Sequence, residues 1–343
     1  MIHEAYRLYF FLSMKKFTSL LLAVPLLLLF LWYSSTHIGW ENIWDSTKNL
    51  SFIDVFIFIL LSFLNFGLYT LRWKELINTP HISFWKLYQF RFVAHTISYF
   101  IPSAQVGGEP ARIALAINHG AKKHATIAGT ILDKVFELMT SIFTSIIGLL
   151  LILPSTDIFH PLPLAGGCAV LCLFGFFFYA SIWGKGFFTS ILQSMKLHHF
   201  SFGTKIFEEL VHIETHIRHF FRHHPQSLFR VIIYSLGTFL LMLAEYYLIA
   251  HALGLTLSWK ALILITALPL VGYLLPTPGG AGGLEGAQIL AFSLAGISPA
   301  FALPTILVIR MRDSIFILFG ISLTSHYGVS FFSKKPHVDN SAA

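Results

Sequence analysis

Six apolar runs, each close to the length needed to cross a bilayer, constrain this chain more than any other feature. They cover residues 17–33, 52–71, 125–153, 164–183, 228–250 and 301–323. A crossing helix needs about 20 mostly apolar residues. The charge content agrees: 11% of the 343 residues are charged, against roughly 25% in a soluble domain. The first run follows Arg7, Lys15 and Lys16 and has no small-x-small cleavage site before Trp32. It reads as an uncleaved anchor and not a signal peptide, with Met14 as an alternative start.

Two further apolar regions, 87–117 and 261–297, are interrupted. The first contains IPSAQVGGEPAR at 101–112 and the second LPTPGGAGGLEGAQ at 275–288. Irregular backbone persists at membrane depth only where it is buried in protein or lines a wet cavity. The net charge of +7 reads as a topology signal, not a nucleic-acid signal. Lys and Arg gather at 7–16, 72–91, 122–123, 185–230 and 334–335, whereas 34–51 and 154–163 hold only Lys48. Basic loops face the cytoplasm, so both termini, 72–86 and 118–124 are expected inside. Region 87–117 then starts and ends inside. It is too short to cross twice as full helices, and it reads as a re-entrant hairpin. By the same reasoning 261–297 enters and leaves from outside.

The expected fold is therefore all-α: a polytopic transmembrane helix bundle with two inverted repeats, each containing a re-entrant broken helix. Residues 1–16 form a cytoplasmic N-terminus, 17–325 one membrane domain, and 326–343 a cytoplasmic tail. The spacing supports a repeat, since Lys134 follows Glu109 by 25 residues and Arg310 follows Glu285 by 25. Inverted repeats with discontinuous helices are a secondary-transporter architecture, with the binding site where the breaks meet.

A half-helix that begins after a Gly-Gly pair offers free N–H groups and the positive end of its dipole, which suits a phosphate or carboxylate. Gly107 and Gly108 in the first break, and Pro278, Gly279, Gly280 and Gly282 in the second, are candidate substrate-binding positions. Ionisable residues at a helix centre cost about 2.5–3.5 kcal/mol on insertion scales, so those present need partners. Glu109, Arg112, Asp133, Lys134, Glu285 and Arg310 are the candidate substrate-binding side chains. Glu109 and Glu285 are expected to pair with nearby Arg or Lys in a network around the breaks. Asp133 and Glu137 share a helix face, and Arg91, Glu245, Arg312 and Asp313 lie in the same apolar surroundings. For Lys134 the alternative is snorkelling to the boundary.

These residues resemble the transmembrane region of the lysylphosphatidylglycerol synthase/flippase family, also described as flippase-like or UPF0104. The resemblance rests on IPSAQVGGEPARIALA at 101–116, LDKVFEL at 132–138, LPTPGGAGGLEGA at 275–287 and LVIRMRDSIF at 307–316, and spans about residues 17–325. The family pattern of Gly-Glu-x-x-Arg matches Gly108, Glu109 and Arg112. Its Pro-Gly-Gly-x-Gly-x-x-Glu matches Pro278, Gly279, Gly280, Gly282 and Glu285, and its Arg in the final span matches Arg310. Two positions depart from the pattern. Lys134 stands where an Arg is usual, losing bidentate phosphate geometry, and Gln105-Val106 stands where many members have a further Gly. The resemblance implies movement of lipids or lipid-linked head groups between leaflets. Its partners would be an anionic phospholipid or lipid-linked precursor and a separate lipid-modifying transferase. In the synthases a soluble aminoacyltransferase follows the membrane region. The expectation here is the flippase part without the transferase, in the cytoplasmic membrane.

Other signals are weaker. Residues 201–224 read as a cytoplasmic amphipathic helix lying on the membrane surface, its apolar stripe formed by Ile206, Leu210, Ile213, Ile217 and Phe220. His212, His216, His219 and His223 on it suggest a polar stripe before a metal site or pH sensor. Cys168 and Cys172 read as small apolar fillers. No G-x-x-x-x-G-K-[ST] loop is present, and no cofactor, metal or catalytic residue is expected. The alternatives are an intramembrane enzyme acting on lipid phosphates or lipid-linked sugars, a small-ion or solute channel, or an accessory subunit to a lipid aminoacyltransferase.

Overall fold

The computed structural model describes residues 51–152, 201–273 and 275–333, with isolated positions between 169 and 189. The apolar runs 17–33 and 164–183, Cys168, both chain termini and the tail at 334–343 lie outside the described residues, isolated positions apart. Among the described residues there are nine α-helices and no strand: α1 Phe52–Ile77, α2 Phe84–Phe100, α3 Glu109–Asn118, α4 Lys123–Ile152, α5 Ser201–His223, α6 Pro225–Ala252, α7 Trp259–Gly272, α8 Gly283–Leu294 and α9 Ala302–Ser333.

Local sequence sets these boundaries. Ser51 and Asp54 form a capping box at the start of α1, and Asn78 ends that helix in the left-handed conformation. α2 stops at Ile101 in extended geometry because Pro102 follows. Pro110 opens α3 and Pro225 opens α6, where a missing N–H costs nothing. Ser258 caps α7.

Three helices, α1, α4 and α6, are long and apolar enough to cross a membrane. α9 is longer still but carries Arg310, Arg312 and Asp313 along its length. Outward faces are apolar: Phe52, Phe56, Leu60 and Leu64 line one stripe of α1, and Phe229, Ile233, Leu236 and Leu240 line α6, all exposed. Charges lie inside, with Arg72, Arg112, Asp133, Glu245 and Asp313 buried. Polar-inside, apolar-outside is the reverse of a soluble domain and marks a surface solvated by lipid.

The interrupted regions become two helical hairpins, α2–α3 and α7–α8. Their arms touch backbone to backbone. A Cβ added at Gly108 would collide with the Ala94 carbonyl, and one at Gly272 with the Gly283 carbonyl. Small residues at close helix crossings are common in membranes. α1 packs on α6, α2 on α9 and α7 on α4, so each hairpin's first arm leans on the long helix that follows the other hairpin.

Two expectations are corrected. The stripe of α5 does not lie on a membrane: Ile213, Ile217 and Phe220 are buried against Leu76, Ala128, Leu132 and Val231 of α1, α4 and α6. Arg72, counted above with the inside loop 72–86, is buried inside the bundle, because α1 continues to Ile77.

Candidate functional site

Two networks of buried charge flank the breaks. The first is centred on Asp133 of α4. Its Oδ1 accepts from Arg72 Nε at 2.7 Å, and its Oδ2 accepts from Arg91 Nη1 at 3.0 Å and Arg112 Nη1 at 2.8 Å. Arg112 Nε also donates to Glu109, and its guanidinium stacks over the Trp73 ring at 4.7 Å. Lys134 Nζ donates to Glu137 at 2.8 Å and lies 3.5 Å from Glu109. Glu137 lies 3.5 Å from Arg91 and 3.7 Å from Arg72. In this network four cations (Arg72, Arg91, Arg112, Lys134) face three carboxylates (Glu109, Asp133, Glu137).

The second network is centred on Arg310 of α9. Its Nε donates to Glu285 Oε1 at 2.9 Å, and its Nη1 donates to the Gly279 carbonyl at 2.8 Å and to Tyr99 Oη at 2.9 Å. Arg312 donates to Asp313 Oδ1 at 2.9 and 3.1 Å and to Glu245 Oε2 at 3.4 Å. Tyr273 Oη donates to Asp313 Oδ2 at 3.4 Å. Here two cations face three carboxylates.

The matched spacings close as ion pairs. Glu109 meets Lys134, and Glu285 meets Arg310. Each cation also has an acid one turn on, Glu137 and Asp313 respectively. One guanidinium, Arg310, touches both breaks, through Tyr99 at the end of α2 and Gly279 in the second break.

Three backbone donors of the breaks are already used. Gly107 N–H donates to Ser103 Oγ at 2.7 Å and Gly108 N–H to Ser98 Oγ at 2.8 Å. Gly282 N–H donates to Glu285 Oε2 at 2.8 Å. At these three positions the N–H groups are therefore not the free donors that the Gly-Gly pairs suggest. Short hydroxyls and a capping carboxylate stand nearby and occupy the donors first. The second break is a 3₁₀ turn over Pro278–Gly280, with Gly279, Gly280 and Gly282 at positive φ. In the first break Ala104 and Gln105 adopt φ of 50° and 62°, so the turn is tight without a further glycine.

A cavity of about 200 Å³ opens between the networks. Its wall includes Arg91, Glu109 and Arg112 from one network and Glu245, Arg312 and Asp313 from the other. Ser98 and Tyr99 beside the first break and Tyr273 beside the second also line it. Asp133 and Lys134 sit behind this wall, and Arg310 with Glu285 and the second-break glycines sit beside it. Sequence reasoning missed Arg72, Tyr99 and Tyr273. Arg72 directly follows an apolar run, where a basic residue ordinarily snorkels, and the tyrosines carry no signal until the breaks are seen to meet.

The family model described as the lysylphosphatidylglycerol synthase TM region matches residues 17–320. A UPF0104 membrane protein of Methanothermobacter thermautotrophicus is 26% identical over 315 residues, which is 87% of this chain and 92% of that protein. No solved structure matches. With the family model covering most of its length, the chain belongs to the lysylphosphatidylglycerol synthase TM region family of membrane proteins.

Proposed function

We propose that the protein is a lipid flippase that moves an anionic or lipid-linked head group between the leaflets of the cytoplasmic membrane. In this reading α1 with α4 and α6 with α9 are crossing helices. The hairpins α2–α3 and α7–α8 are re-entrant from opposite faces, and the halves form two inverted repeats within one domain over residues 17–325. Both termini lie in the cytoplasm. A separate lipid-modifying transferase supplies or consumes the lipid.

The observation that carries the reading is the repeated charge triad, Glu109–Lys134–Glu137 and Glu285–Arg310–Asp313, closing once at each break beside one shared cavity. The crossed packing of α2 on α9 and α7 on α4 also fits two halves related by a pseudo-two-fold axis. Such halves provide alternating access when one rocks against the other. The head group meets Arg112 first: its Nη2 is buried and without a partner, and it lines the cavity. A guanidinium donor of this kind suits a phosphate oxygen. Gly107, Gly108, Pro278, Gly279, Gly280 and Gly282 shape the breaks, and Asp133 and Lys134 hold the arginines and Glu109 in place.

Reconstitution in liposomes with labelled anionic and zwitterionic lipids tests this. Head-group-selective leaflet exchange is expected, and it is lost in Glu109→Gln and Glu285→Gln. Equal exchange in wild type and both variants would sink the assignment of the path to the breaks.

A further inference from the structure

Among the described residues, Glu245 is the least compensated buried charge. It lies about two turns before the end of α6 and is 1% exposed. Its cation is Arg312 at 3.4 Å, and Arg312 holds Asp313 more closely, at 2.9 Å. Glu285 is taken by Arg310. Arg310 also lies 3.6 Å from Asp313, so two guanidinium groups serve three buried carboxylates, and Glu245 reaches only Arg312. Glu245 Oε1 has no hydrogen-bond partner. Ser62 and Asn65 of α1 flank it as its neutral hydrogen-bonding neighbours, without a bond of full geometry to Oε1. All three side chains line the central cavity, so the unpartnered carboxylate oxygen is at the cavity wall.

Burying an uncompensated carboxylate is costly, and such groups neutralise by taking a proton. The groups facing Glu245 across this region are Arg312 and Asp313 from α9, His95 from α2 and Tyr273 at the end of α7. α1 contributes Ser62 and Asn65 beside it and Tyr69 further along the cavity, where Arg91 of α2 and Glu137 of α4 also stand. His95 Nε2 is itself buried without a partner.

We propose that Glu245 is a proton-binding site that couples lipid movement to proton flow; this rests on the transport reading above. A proton entering from the cavity adds to Glu245 and leaves a neutral carboxylic acid. Arg312 then turns wholly to Asp313. The Glu245–Arg312 ion pair links α6 to α9, so protonation loosens one helix of the second half from the other. Deprotonation on the opposite face restores the link and completes one cycle.

The test has two arms on the full chain in lipid. Infrared difference spectra between acid and alkaline conditions are expected to show a protonated-carboxyl band that is lost in Glu245→Gln and shifted in Glu245→Asp. Leaflet exchange is expected to accelerate under an imposed pH gradient, with that dependence lost in Glu245→Gln. A carboxyl band unaltered by Glu245→Gln overturns the proposal, as does exchange that follows a sodium gradient and ignores pH. Absence of exchange for every lipid removes the transport reading and the coupling with it, whereas the carboxyl band still decides whether Glu245 takes a proton.

Discussion

Asp133 is the carboxylate on which three arginines converge, from α1, α2 and α3. Removing one partner of a buried ion pair costs about 3–5 kcal/mol. Asp133→Asn is therefore expected to destabilise the protein by at least that much, read as a lower unfolding midpoint in detergent; an unchanged midpoint would refute the central role of this residue. Gln105 supplies the opposite case. A left-handed non-glycine residue costs about 1–2 kcal/mol, and glycine returns about 0.5–1 kcal/mol of that in backbone entropy. Gln105→Gly is expected to stabilise by about 1 kcal/mol in the same unfolding measurement. Most charged members of the site were legible singly, because an ionisable residue in an apolar run stands out. Their partners were legible only where spacing repeated, as with Glu109 and Lys134. Arg72 was not, because a cation at the end of an apolar run looks the same whether it points to water or into the bundle.

At the scale of the element, α5 shows how an amphipathic stripe misleads. Its period announces an apolar face but not what covers it, and here α4 and its neighbours do. Its polar face is tied by Glu209, which accepts from Lys123 at 2.6 Å and pairs with His124 at 3.0 Å. Those hydrogen bonds hold the Glu209 carboxyl below its usual value. Desolvation, and then His223, His224 and His216, hold the His219 imidazole below its ordinary value. Both shifts have the same consequence. The Glu209 contribution is present above the ordinary carboxylate range and fades as pH falls through the lowered value. The folded state also disfavours protonation of His219, so acidification below about 6.5 works against packing there. Hydrogen exchange in α5 is expected to quicken between about pH 7 and about pH 5, relative to α7 as an internal reference; equal protection at both would contradict this. The hairpins were more legible than α5, since Pro and Gly punctuate them in the sequence itself.

The whole molecule turns on the meeting of two breaks that are about 180 residues apart in sequence. The repeated break motifs raise the expectation of that meeting; in the structure it follows from α1 lying on α6 and from α2 and α7 leaning on α9 and α4. At the meeting point Arg310 Nη1 donates to Tyr99 Oη. Hydrogen bonds to charged groups net about 1.5–3 kcal/mol, and each 1.4 kcal/mol is about tenfold in an equilibrium. This contact therefore weights joined over separated breaks by about ten- to a hundredfold and does not lock them. Tyr99→Phe removes that weighting while leaving Glu285 and the Gly279 carbonyl to Arg310. Spin labels introduced by Val106→Cys and Gly286→Cys, in a chain without Cys168 and Cys172, are expected to report a larger separated fraction in Tyr99→Phe; identical distance distributions would show that packing alone sets it. A single tyrosine hydroxyl thus biases how often the two breaks separate, making the balance between joined and separated breaks a property that one oxygen atom can tune.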